Sequence, residues 1–176
     1  MSALPRVKES ALYRAGYFLV SLAVLLLDQW TKGIVMRTFQ IHESREVVSG
    51  LFDLTYVQNS GAAFGLFASV DSSVKAIVLN SVAVLVFLIV SAYAIRSSHK
   101  SVRLQVGLAL ILGGAVGNLL DRVRFTYVVD FLDLSISGHH WPAFNLADSA
   151  ICIGVGLLFL DMLQKEEEAE AAPPVT

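Results

Sequence analysis

The chain has 176 residues, of which 55% are hydrophobic and only 16% charged, against roughly 25% charged in an ordinary soluble domain. With a mean hydropathy of +0.64 this is a membrane composition. A formal net charge of -2 without a basic cluster excludes a nucleic-acid partner, and a single cysteine, Cys152, excludes a disulfide framework and a thiolate metal site.

Residues 1–14 are polar and carry Arg6, Lys8 and Arg14, and residues 15–27 are almost uninterrupted apolar sequence. That resembles the front of a secretory signal. The apolar run then meets Asp28-Gln29-Trp30-Thr31-Lys32 instead of a small-residue cleavage site, and the apolar pattern resumes at 33–36. An uncleaved first transmembrane helix over about 14–36 is therefore predicted. Asp28 and Lys32 stand one turn apart on one face of it, which fits a structural ion pair and a part in a site equally well.

Residues 38–57 are too polar to cross a bilayer and read as two or three short strands outside it. The run Gln58-Asn59-Ser60-Gly61-Ala62-Ala63-Phe64-Gly65 is rich in small residues that permit close approach of backbone or ligand. Residues 76–95 carry no charge and are long enough to cross the hydrocarbon, giving a second helix over about 74–96. Asn80 and Ser81 within it read as interhelical hydrogen-bonding residues. After a basic loop at 96–103, a third helix is expected over 103–122, where Gly113, Gly114 and Gly117 supply the small-residue spacing that lets helices pack closely in lipid. A fourth is expected over 144–163, and the acidic tail 166–176 reads as disordered.

Four helices place both termini on one side. Basic residues near the N-terminus and at 96–103 place that side in the cytoplasm, so that residues 37–75 and 122–143 lie outside. The expected fold class is an all-α integral membrane protein: a single domain, 1–165, with four transmembrane helices, a small extracytoplasmic β-sheet at about 38–57 and a periplasmic loop or short helix.

Two carboxylates between the third and fourth helices, Asp130 and Asp148, are set among apolar neighbours. An aspartate at a helix centre in lipid costs roughly 2.5–3.5 kcal/mol, so one kept near an apolar run is a functional candidate. Asn118, Asp121 and Arg122 share a face of the third helix, as Asn145 and Asp148 share one of the fourth. The polar groups thus form a layer at one membrane depth. Paired acids cannot both ionise at close range, so one keeps a proton while the other activates water, which is the chemistry of peptide hydrolysis without a metal or a side-chain nucleophile. The alternative is a small proton- or ion-coupled carrier with protonation sites at the same two acids. Its weakness is the lack of an internal repeat. A serine-type intramembrane protease needs a histidine within a helix, and His42, His99, His139 and His140 all fall in polar connections. None has zinc-motif spacing, so neither metal nor other cofactor is expected. Asp121 reads as a helix-end ion-pair partner, Asp133 as solvated, and Asp161 as an interfacial charge. Trp30, Trp141, Tyr56 and Tyr127 read as interface aromatics.

At DQWTK (28–32), QNSGAAFG (58–65), GNLLDR (117–122), VVDF (128–131) and FNLADS (144–149) the sequence resembles the bacterial lipoprotein signal peptidases (signal peptidase II), which are membrane aspartyl proteases. The likeness covers about 25–163. It implies a catalytic dyad at Asp130 and Asp148, with Asp28, Asn59, Asn118, Arg122 and Asn145 supporting dyad, substrate or inhibitor. It also implies removal of the signal peptide of a prolipoprotein just before its diacylglyceryl-modified cysteine, at the outer face of the bacterial inner membrane. Further implications are a β-cradle, a mobile periplasmic segment around 59–70, and inhibition by globomycin. Membrane lipids and prolipoproteins are the expected partners of a monomer.

Overall fold

The computed structural model describes residues 4–61, 72–96 and 101–170. Its elements in chain order are α1 (Leu4–Thr38), β1 (Ser44–Val48), β2 (Phe52–Asn59), α2 (Ser72–Arg96), α3 (Val102–Phe125), β3 (Val128–Ile136), β4 (His139–His140) and α4 (Leu146–Glu170). All four helices hold a segment long and apolar enough to cross a membrane: Gly16–Thr38, Ile77–Ala94, Val102–Phe125 and Leu146–Gln164.

The helices are organised around α3, which packs most extensively on α4, then on α1, then on α2. It is the most buried span, whereas none of the apolar window of α2 is buried among the described residues. Apolar side chains left outside in this way suit a lipid surround, where close packing and not hydrophobic burial holds helices together. Small residues make that packing possible. A Cβ at Gly114 would run into the main-chain oxygen of Ala147, and one at Gly117 would come within 2.6 Å of Asp28 Oδ2. Ser101 caps the start of α3 by accepting the N–H of Leu104, and it also bonds Asp161.

The strands form one antiparallel sheet in the order β1-β2-β3-β4. Its apolar side is a cluster of Val35 from the end of α1 with Tyr56, Val129 and Phe131, flanked by Met36, Phe39, Leu54, Tyr127, Leu132 and Leu146. This cluster fixes the sheet to the ends of α1 and α4. On β2 an extra residue intrudes between the pairs Leu54↔Leu132 and Val57↔Asp130. Such a bulge re-aims the side chains beyond it. The turn from α3 into β3 passes through Thr126, held left-handed at φ 67 with its N–H on Arg122 O.

Several expectations are corrected. The all-α class understates the sheet, because β3 and β4 occupy a stretch expected only to be an external connection. The first four residues of β3 are all buried, so the strand lacks the alternation of polar and apolar residues that marks a half-exposed one. The apolar span Gly16–Thr38 falls close to the expected 14–36, but the helix that holds it begins at Leu4, and α4 runs on to Glu170, through the start of the tail read as disordered. Tyr56 is a core residue, and Asp161 is buried where it bonds Ser101 at the start of α3. Asn80 Oδ1 is buried with no hydrogen-bond partner among the described residues. The mobile segment expected after Asn59, much of the basic loop and the end of the tail fall at 62–71, 97–100 and 171–176, outside the described residues.

Candidate active site

The site is built where α1, α3, β3 and the start of α4 converge. Asn145 precedes α4 as its N-cap: its Oδ1 accepts the Asp148 N–H at 2.9 Å, and Asp148 Oδ2 accepts the Asn145 N–H at 3.3 Å. This is the reciprocal geometry of a capping box, with Asn and Asp in the cap and N3 places. One carboxylate of the expected pair is therefore positioned by helix-start chemistry. Its other oxygen, Oδ1, accepts from Asn118 Nδ2 at 2.7 Å.

Asp130 is placed by a strand. It lies opposite Val57 in the β2–β3 ladder, and Asn59, diagonal to it beyond the bulge, donates Nδ2 to Asp130 Oδ2 at 2.8 Å. Asn59 is itself held by the Gly61 N–H on its Oδ1. From the other side Asn145 Nδ2 donates to Asp130 Oδ1 at 2.7 Å. One residue, Asn145, thus touches both carboxylates and is wholly buried while doing so. Asp130 is buried as well, and Asp148 is half-buried. Burial pushes the Asp130 carboxyl up to about 7; the charge of Asp148 adds to this, and the amide donors of Asn59 and Asn145 oppose it.

Behind the pair lies a buried ion cluster. Lys32 Nζ meets Asp28 Oδ2 at 2.8 Å, Asp121 Oδ2 at 2.9 Å and Asn118 Oδ1 at 3.0 Å. Asp28 Oδ1 accepts the Ala147 N–H at 3.0 Å in the first turn of α4, where a negative charge is favoured. Asp121 Oδ2 accepts the Val129 N–H, next to Asp130. The ion-pair reading of Asp28 and Asp121 therefore holds. Arg122 is half-buried and acts electrostatically on Asp148, Asp130 and Asp121.

All seven sequence-designated residues fall in this region, in two tiers. Asn59, Asn118 and Asn145 bond the two carboxylates directly; Asp28 braces the scaffold through Lys32 and Ala147. The sequence reading missed Gln29, whose Nε2 ties Asp28 Oδ2, Gly117 O and Asp121 Oδ1 together. Its place beside Asp28 in a charged break of an apolar run was the available signal. Away from this site, Asp53, Asp133 and His140 bring ligand-type atoms within 4.8 Å of one another on the sheet. His140 there is an ion-pair partner of Asp133, at 2.9 Å, which raises its pKa.

Residues 20–164 match the family model described as Signal peptidase (SPase) II. The Lipoprotein signal peptidase of Syntrophus aciditrophicus is 46% identical over 145 residues, covering 82% of this chain and 90% of the relative. The protein of the same name from Moorella thermoacetica is 46% identical over 158 residues, covering 89% and 99%. A solved structure described as a bacterial membrane enzyme superposes with a TM-score of 0.80 at 31% identity, covering 92% of this chain and 95% of the other.

Proposed function

The chain belongs to the signal peptidase II family, and on that premise we propose that it removes signal peptides from prolipoproteins as an aspartic endopeptidase, with Asp130 and Asp148 as its dyad. Family membership disfavours the carrier reading. The observation that supports the dyad is the bridging of both carboxylates by Asn145.

In this reading the two acids share one proton across a water. The ionised member takes a proton from the water as it attacks the scissile carbonyl; the protonated member polarises that carbonyl and then helps protonate the leaving amine. Titration belongs to the pair. Burial lifts the Asp130 carboxyl to about 7, which keeps a proton available to the pair near neutrality. Asn59, Asn118 and Asn145 hold the carboxyl planes, and Arg122 supplies positive charge where the oxyanion develops. Cleavage falls before a diacylglyceryl-modified cysteine, whose lipid and signal helix reach the site sideways from the bilayer. The site faces the outer side of the bacterial inner membrane, both termini are cytoplasmic, and globomycin-type peptides compete for the same cleft in a monomeric enzyme.

The test is purified protein in detergent with a diacylglyceryl-modified prolipoprotein, with release of the signal peptide as the readout. Wild type cleaves, while Asp130→Asn and Asp148→Asn fold and do not. Normal turnover by either variant would overturn the dyad.

A further inference from the structure

Lys32 is one of the largest fully buried side chains, 1% exposed, in a region of the chain with every reason to avoid an isolated charge. Its ammonium is surrounded by three oxygens: Asp28 Oδ2, Asp121 Oδ2 and Asn118 Oδ1. Two are carboxylates that neutralise it. The third belongs to a neutral amide that bonds Asp148 with its other end.

An amide can present either its oxygen or its nitrogen, and the choice depends on its neighbours. An ammonium has hydrogens to give and no lone pair to receive one, so the end of Asn118 facing Lys32 must be oxygen. The end facing Asp148 is then Nδ2, a donor. Asn145 Nδ2 also points at Asn118 Oδ1, but at 3.2 Å and shared with Val129 O and Asp130 Oδ1, so it is the weaker constraint.

On the basis of the dyad reading, we propose that Lys32 is a positioning residue: it sets the direction of the Asn118 amide and so keeps Asp148 supplied with a hydrogen-bond donor. The chain of constraint is continuous. Asp28 is pinned by the Ala147 N–H and Asp121 by the Val129 N–H and Gln29, so the ammonium is pinned by them. The ammonium orients the amide, and the amide addresses Asp148 Oδ1. Without it the amide is free to turn and offer oxygen to Asp148, an arrangement that only a protonated carboxyl satisfies.

Lys32 also acts on Asp130, where its positive charge favours the ionised form. The groups facing Asp130 are Asn59 from β2, Asn145 and Asp148 from the start of α4, Lys32 from α1 and Arg122 from α3. Loss of Lys32 removes that charge, so Asp130 holds its proton to higher pH, and it leaves the donor to Asp148 Oδ1 no longer fixed in place.

The experiment compares kcat and KM against pH for wild type, Lys32→Met, the charge-balanced Lys32→Met/Asp121→Asn and Asp121→Asn in detergent, using the diacylglyceryl-modified prolipoprotein. The double variant is included because Lys32→Met alone strands two buried carboxylates. Both variants lacking Lys32 are expected to lose kcat by about a hundredfold, keep KM within about twofold, and move the optimum up by about one pH unit. Asp121→Asn, which leaves Lys32 on Asn118, keeps the wild-type optimum at lower thermal stability. A folded protein without Lys32 that keeps the wild-type optimum overturns the proposal, as does an equal displacement in Asp121→Asn. The side-chain amide NMR resonance of Asn118, assigned by its loss in Asn118→Ser, gives a readout independent of turnover. In wild type it shifts as the pair of acids titrates, and in the double variant that response shrinks; an unchanged response overturns the proposal. Failure of wild type to cleave, with the amide response as expected, counts against the protease reading alone.

Discussion

Asn145 and Asp148 cap each other across the first turn of α4, with the Asp148 N–H on Asn145 Oδ1 at 2.9 Å and the Asn145 N–H on Asp148 Oδ2 at 3.3 Å. The same Asn145 donates to Asp130 at 2.7 Å. Asn145→Ala therefore removes a helix cap and the bridge between the two acids in one step. Loss of the cap costs about 1 kcal/mol. Loss of the bridge lowers kcat by about a hundredfold or more. Thermal unfolding and initial rates on one preparation separate the two; near-normal turnover in a destabilised protein would reduce Asn145 to a cap.

Asp130 makes folding stability depend on pH. Its carboxyl sits at about 7 in the folded protein against an ordinary value of 3.8. Below about 4 the acid is neutral in both states and contributes nothing to the difference between them. As pH rises from there to about 7 the unfolded chain releases the proton and the folded protein retains it, so folding stability falls. Above about 7 the loss is complete, on the order of 4 kcal/mol at most. Asp130→Asn is accordingly more stable than wild type at alkaline pH, and the gap closes on acidification. Unfolding of the two proteins across pH checks this, and a gap that is constant or widens toward acid would contradict it.

Period and composition made part of this architecture legible in the sequence. The four apolar runs gave four helices, and helical spacing brought Asn118 beside Asp121 and Asn145 beside Asp148. The strand carrying Asp130 was not legible, because Val128 to Phe131 are all buried and a short apolar run has no period to read. Long-range partners were hidden for a different reason. Spacing pairs Lys32 with Asp28, but nothing local announces that Asp121 and Asn118, about ninety positions on, complete its shell. The helical extensions of α1 and α4 beyond their apolar spans were not legible, because polar residues at a helix end lower hydropathy without breaking the helix.

Gly117 separates packing from chemistry. A Cβ there would lie 2.6 Å from Asp28 Oδ2, the oxygen that holds Lys32. Gly117→Ala pushes Asp28 off its partners and costs about 1–3 kcal/mol, as overpacking does. It also lowers turnover, since Asp28 holds Ala147 next to Asp148. A Cβ at Gly156 on α4 meets nothing within 4 Å among the described residues, so Gly156→Ala serves as the control, neutral or more stable by up to about 1 kcal/mol. Equal thermal midpoints for the two variants would show that α1 and α3 are less tightly fitted than the geometry requires.

Asn59 tests the direction of dyad titration from the sheet side. Its Nδ2 donates to Asp130 Oδ2 at 2.8 Å, a bond that favours the ionised carboxylate and partly offsets the burial that lifts Asp130 to about 7. Asn59→Ala removes that offset, so Asp130 keeps its proton to still higher pH. If the dyad works with one shared proton, the alkaline limb of kcat marks the loss of that proton and moves up, while KM changes less than kcat. The same substitution frees the Gly61 N–H from Asn59 Oδ1 and so loosens the end of β2. A purely structural effect of that kind lowers the rate at every pH and leaves the limb in place. An alkaline limb that stays put, or that moves down, would mean that Asp130 does not carry the proton the enzyme needs.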